Sequence, residues 1–222
     1  MICFFSDNHY NAFPGKNIFG ALPEERKKNI VFRCDDWKLL ESGVWEKDCG
    51  LLILNMIGGT CGQPHPGPGA EQAVRRYCLR GGNMLLLHGS SAAFWQWDWW
   101  RKIVGLRWVR PGDPDGAVPS THPKEPYTVE IAKTRHALAK KLRPLNLPED
   151  EIYTELEQTS PIEILMTTKI SGGTFPQAYE TATPWGGRVI GFLPGHGPQV
   201  TRDPDVLYDI LVLIDSLLEK KN

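Results

Sequence analysis

Strands alternating with helices predict an α/β fold in three layers, an open and mostly parallel sheet with helices on both faces. Three observations carry this. Apolar runs of strand length recur at 2–5, 30–33, 51–57, 83–88 and 188–193, with helical patterns between several of them. The run Met84-Leu85-Leu86-Leu87 is apolar without alternation, as a central parallel strand covered on both faces requires. Finally, the 222 residues contain no repeat of the usual periods and no long linker, so one domain spanning 1–222 is expected.

In chain order, 2–5 and 30–33 read as short strands, and 51–57 as a stronger one running into Gly58-Gly59. A Pro/Gly-rich loop over 62–69 leads into a helix at 70–80, whose apolar face is Ala73, Val74, Tyr77 and Cys78. Gly81-Gly82 supplies the left-handed residue that caps such a helix. After the strand at 83–88, Gly89-Ser90-Ser91 turns towards a second helix expected at 92–104, with Ser90 or Ser91 as its N-cap. Strands are expected at 127–131, 163–168 and 188–193, and a helix near 136–141. An amphipathic helix is expected over 205–220, carrying Val206, Leu207, Ile210, Leu211, Leu213, Ile214, Leu217 and Leu218.

Composition narrows the function classes. The chain is 41% hydrophobic and carries 25 Lys+Arg against 26 Asp+Glu, a formal charge of −1. That balance gives no electrostatic reason to expect nucleic acid or an anionic membrane as partner. No apolar run of about 18 residues spans a membrane, and the first residues lack the basic region of a signal peptide. Five cysteines without CxxC spacing argue against a disulfide framework or cysteine-based metal site. A cytoplasmic protein with small, neutral partners is the expectation.

In open parallel sheets ligands bind beyond the carboxyl ends of the strands. The residues standing there are Ser6-Asp7-Asn8-His9, Gly58-Gly59-Thr60-Cys61, His88-Gly89-Ser90-Ser91 and Pro194-Gly195-His196-Gly197. His88 ends a central strand, and the glycines and prolines around His196 hold its imidazole on a rigid turn, where site residues are commonly carried. Ser90 is either a nucleophile with His196 as base or a helix cap. Cys61 has no basic neighbour in sequence to favour a thiolate and reads as a bystander.

Taken together, several stretches resemble the trehalose-utilisation, or ThuA-like, family. They are Gly50-Leu51-Leu52-Ile53-Leu54, the segment Arg80-Gly81-Gly82-Asn83 through Leu87-His88-Gly89-Ser90, and Ile103-Val104-Gly105-Leu106. Arg135-His136-Ala137-Leu138, Asp150-Glu151-Ile152-Tyr153 and Gly187-Arg188-Val189 through Pro194-Gly195-His196 follow in the family's order, so that matches run from about residue 48 to 200. The chain departs from the pattern at His136-Ala137, where the family has His-Pro, and at Asp7-Asn8-His9, which replaces a longer acidic loop; His122-Pro123 matches another His-Pro loosely. The resemblance implies a class I glutamine amidotransferase-like, flavodoxin-like fold. It puts His88 in the place of the amidotransferase nucleophile and His196 in that of the catalytic histidine. With no cysteine at that turn, glutaminase chemistry is excluded, and a role in disaccharide or keto-sugar metabolism is implied.

The candidate catalytic set is therefore His88, Ser90, Glu151 and His196. Asn8, His9, Gly89, Trp95 and Tyr153 are the candidate substrate contacts. No cofactor is required by the sequence. The alternative is a divalent metal such as zinc on His88, Glu151 and His196, although they lack a diagnostic local spacing. Phe94, Trp95, Trp97, Trp99, Trp100 and Trp108 could stack on a sugar, but large aromatics mostly pack in cores or at contacts between copies. An enzyme of carbohydrate metabolism, a hydrolase or isomerase, and a catalytically silent binding module are both compatible with these residues. Convergence of His88, Glu151 and His196 in one cleft would favour the enzyme.

Overall fold

The computed structural model describes residues 1–58, 66–113 and 117–219. Cys61 and the first half of the loop expected at 62–69 lie outside the described residues. The first half of the chain forms strands β1 (Ile2–Ser6), β2 (Ile30–Cys34), β3 (Leu51–Asn55) and β4 (Met84–Leu87). Between them run helices α1 (Pro14–Ala21), α2 (Glu24–Lys27), α3 (Lys38–Ser42) and α4 (Pro68–Leu79). Gly81, at φ +74, ends α4, and its neighbour Gly82 N–H returns to the Tyr77 carbonyl at 3.1 Å.

Beyond β4 lie α5 (Asp98–Arg101), β5 (Leu106–Arg107), β6 (Lys124–Ile131), β7 (Leu145–Glu151) and β8 (Glu157–Gln158). Then come β9 (Glu163–Ile170), β10 (Gly173–Ala182), β11 (Arg188–Phe192), α6 (Pro198–Thr201) and α7 (Pro204–Leu218). The Asp203 carboxylate caps α7 by accepting from the N–H groups of Asp205 and Val206 at 2.9 and 3.1 Å.

A nine-stranded sheet has the order β2-β1-β3-β4-β11-β10-β9-β6-β7. Its β2-β1-β3-β4-β11 half is parallel, as expected of strands joined through helices, and the β10-β9-β6-β7 half is antiparallel. The two-residue side-chain period sorts the core. Phe4, Ile53, Leu85 and Leu87 face α1 and α7, where Ile18, Val206, Ile210 and Leu213 pack against them. Phe5, Leu54, Met84 and Leu86 face the opposite layer, with Leu40 of α3 and Ala73, Val74 and Tyr77 of α4. β4 is therefore central and buried on both faces.

The helix expected at 92–104 does not form, and only the four residues of α5 are helical there. Phe94 takes a left-handed backbone (φ +54), and its N–H goes to the Gly58 carbonyl at 2.9 Å instead of to a helix. Its ring stacks on Trp97 at 3.8 Å, and Trp100 is wholly buried beside them. Aromatic packing outweighs the weak helix propensity of this run. Near 136–141 only a 3₁₀ turn, Ala139–Lys141, is found. Strands β7 and β10 were not foreseen. In β7, Pro148 breaks the strand pattern, yet proline is tolerated because β7 lies at the edge of the sheet.

Candidate functional site

The cleft is assembled from the loop after β1, the end of β4, the end of β7 and the turn after β11. His9 follows β1 in a run of left-handed residues, His9, Tyr10 and Asn11, with φ of 49, 56 and 67°. His88 follows β4 directly, also with a positive φ (47°), and is buried. His196 stands on a turn that Gly195 makes possible (φ +119) and that Asp150 clamps from β7. The Asp150 carboxylate accepts the N–H groups of His196 and Gly197, each at 2.9 Å. Glu151 comes next in β7. The antiparallel half curls back far enough to bring this edge strand to β4, although β11, β10, β9 and β6 lie between them in the sheet order.

His88, Glu151 and His196 converge. Nε2 of His88 is 3.3 Å from Nδ1 of His196 and 3.5 Å from Oε2 of Glu151, and that Oε2 is 3.3 Å from Nδ1 of His196. His88 Nδ1 faces the Leu193 carbonyl oxygen at 2.8 Å, and the Tyr153 hydroxyl is 3.3 Å from Nε2. A ring nitrogen of His9 falls within 4.8 Å of those of His88 and His196. The other Glu151 oxygen, Oε1, faces Lys124 Nζ at 3.2 Å and His122 Nδ1 at 3.6 Å. A cleft of about 190 Å³ opens onto this cluster, lined by His9, Tyr10, Trp108, His122, Glu151 and Tyr153, together with Ile57 and Ala92.

Burial and charge tune these groups. Burial alone would raise the Glu151 carboxyl. The hydrogen bond from His88 and the charges of His88, His196 and His122 outweigh it, holding Glu151 well below the usual carboxylate range. Burial, then the neighbouring imidazoles, lowers His9; burial, then His88, lowers His196. Asp7, beside His9, is pushed up to about 6 by burial, although the Ile57 N–H bonded to it works the other way.

Three sequence expectations need correction. Ser90 is not presented as a nucleophile, nor does it cap a helix. Its buried hydroxyl lies 2.8 and 2.9 Å from the carbonyl oxygens of Leu54 and Leu87 and accepts the Met56 N–H at 3.2 Å, which ties β4 to β3. Trp95 lies away from the cleft because its ring packs under the guanidinium groups of Arg101 and Arg110, 5.0 and 4.1 Å away. Asn8 is drawn to the end of β2, its N–H bonded to Asp35 Oδ1 at 3.0 Å. Gly89 matters for space. A Cβ there would stand 2.4 Å from both His9 Cε1 and Ile57 Cγ2, so glycine is what lets His9 approach. Sequence reasoning missed Tyr10, Lys124 and Asp150. Adjacency to Glu151 was the available signal for Asp150.

Fold and site together define an open-sheet α/β protein of glutamine amidotransferase-like architecture, with a histidine–carboxylate centre at the ends of its strands. Residues 47–211 match the ThuA family, described as trehalose utilisation, and the chain belongs to it. A ThuA-like protein of Parabacteroides merdae is 18% identical, with a TM-score of 0.69, over 96% of this chain and 87% of its own. One from Bacteroides uniformis is 15% identical, with a TM-score of 0.70, over 98% and 91%. The glutamine amidotransferase-like chain in the structure of PurLQS from Thermotoga maritima is 10% identical, with a TM-score of 0.55, over 97% and 99%. At these identities the likeness is one of fold. No curated protein matches the chain. No helix among the described residues is long and apolar enough to cross a membrane.

Proposed function

We propose that this ThuA-family chain is an enzyme of carbohydrate metabolism that acts on a sugar or keto-sugar and has no glutaminase activity. One observation carries the reading: His88, Glu151 and His196, from three separated segments, meet within 3.3–3.5 Å at the strand ends beside an aromatic-lined cleft. Assembling two imidazoles and a carboxylate in a largely buried place is costly unless they act on something. The centre would activate a hydroxyl or carbonyl oxygen of the substrate, and half-exposed His122 would exchange the proton with solvent.

The cleft supports a sugar of one ring. Its volume of about 190 Å³ is that of a small cleft, which suits a monosaccharide better than a disaccharide. Trp108, whose ring meets Tyr153 edge-on at 4.8 Å, offers a face on which a sugar ring can stack. A thermal-shift series of monosaccharides, keto-sugars and disaccharides tests this. A one-ring compound should raise the melting temperature of the protein, and Trp108→Ala should remove the shift. A series with no effect, or a shift unchanged in Trp108→Ala, would contradict the proposal.

A further inference from the structure

Resting on the reading of this cleft as a reactive centre, we infer that His88, His196 and Glu151 hold a divalent transition-metal ion, zinc by their geometry. The argument starts from the proton on His88. The Leu193 carbonyl oxygen, 2.8 Å from Nδ1, can only accept, so Nδ1 carries a proton and Nε2 is the nitrogen left to bind an ion in place of its own proton. Nε2 faces two further potential ligand atoms, Nδ1 of His196 and Oε2 of Glu151. The three atoms form a triangle with sides of 3.3, 3.3 and 3.5 Å. Protons and the Tyr153 hydroxyl, 3.3 Å from Nε2, can join these atoms when no ion is bound, and a cation at their centre would take all three as ligands in place of those protons.

The triangle has the size such an ion requires. Ligand atoms about 2.0–2.1 Å from zinc at tetrahedral angles stand roughly 3.3–3.4 Å apart, whereas right-angled, octahedral neighbours at those lengths would stand roughly 2.9 Å apart. The supporting contacts also fit. Leu193 orients His88, the Asp150 clamp orients the His196 turn, and Lys124 and His122 occupy the Glu151 oxygen that faces away. Three protein ligands leave one tetrahedral corner for a water or substrate oxygen.

His9 is the residue for that corner. Its ring nitrogen lies within 4.8 Å of those of His88 and His196, close enough to reach an oxygen bound on the ion. Asp7 Oδ1 stands 3.8 Å from His9 Nδ1, and the Ile57 N–H holds the Asp7 carboxylate in place. The metal thus supplies the Lewis acid, and His9 positions the bound oxygen.

The test is zinc binding by the full chain after chelator treatment and dialysis, followed by calorimetry and elemental analysis. One equivalent is expected, weakened at least about tenfold in His196→Ala and in Glu151→Gln. His136→Ala, which alters a histidine paired with Glu180 instead, should bind like the unmodified protein. Cobalt in place of zinc should show the visible absorption of a tetrahedral site. Because His196 is partly exposed, its variant should fold, and circular dichroism checks this. Binding of less than one equivalent, or equal binding by His196→Ala and Glu151→Gln, would overturn the metal assignment. Sugar turnover that persists without zinc would do the same while leaving the enzyme reading intact. Conversely, one equivalent of zinc in a protein that responds to no sugar would uphold the metal and overturn the sugar reading.

Discussion

His88 takes a left-handed backbone at the end of β4, a conformation that costs a non-glycine residue roughly 1–3 kcal/mol and persists only where the surroundings impose it. Four groups impose it: the Leu193 carbonyl, His196, Glu151 and the Tyr153 hydroxyl. Two residues on, Ser90 has a different part to play. Removing its hydroxyl in Ser90→Ala leaves the buried Met56 N–H without its acceptor, and urea denaturation should show a loss of about 1–3 kcal/mol. An unchanged stability with turnover abolished would instead mark Ser90 as the nucleophile. At this scale the sequence was informative about His88, His196 and Glu151, because strand ends and short motifs are local features. It was silent on Lys124 and Tyr10, whose approach to the cleft depends on the path of distant segments.

Elements were readable where periodicity was undiluted. The parallel strands and α7 show it, since each presents a continuous apolar run or stripe to the core. The run of aromatics after β4 misled because stacking among Phe94, Trp97 and Trp100 overrides local preference. Strands β7 and β10 hid because they are half polar and antiparallel, with Pro148 and Pro176 within them. Helix α7 carries one unusual group. Asp209 is wholly buried; its Oδ1 accepts the Arg143 N–H at 2.9 Å, while Oδ2 has no hydrogen-bond partner among the described residues. Burial pushes its carboxyl from 3.8 up to about 7. The protonated form is therefore favoured in the fold, and its stabilising contribution is full below about pH 4 and lost as pH rises through about 7. Asp209→Asn should cancel that slope, so the variant gains on the unmodified protein between those limits and stays ahead above them. Denaturation midpoints at a series of pH values check this; a difference independent of pH would refute it.

Across the whole molecule, the parallel half of the sheet places His88 and His196 at the ends of adjacent strands and His9 after β1, with β3 between, and the antiparallel half returns Glu151 to them. Only the first of these was legible in the sequence, through the rule that ligands bind beyond the carboxyl ends of parallel strands. The second depends on sheet curvature, which no local pattern records. The central claim is that this meeting point carries out chemistry on a one-ring sugar. Proton NMR of keto-sugars and monosaccharides incubated with the protein in deuterated buffer tests it most directly, since product signals or deuterium wash-in report hydrolysis and isomerisation alike. The account predicts conversion of at least one such compound, slowed at least about a hundredfold in His196→Ala while the folded content stays the same. Spectra that never change although the sugar demonstrably occupies the cleft would contradict it and leave a protein that binds its ligand without acting on it.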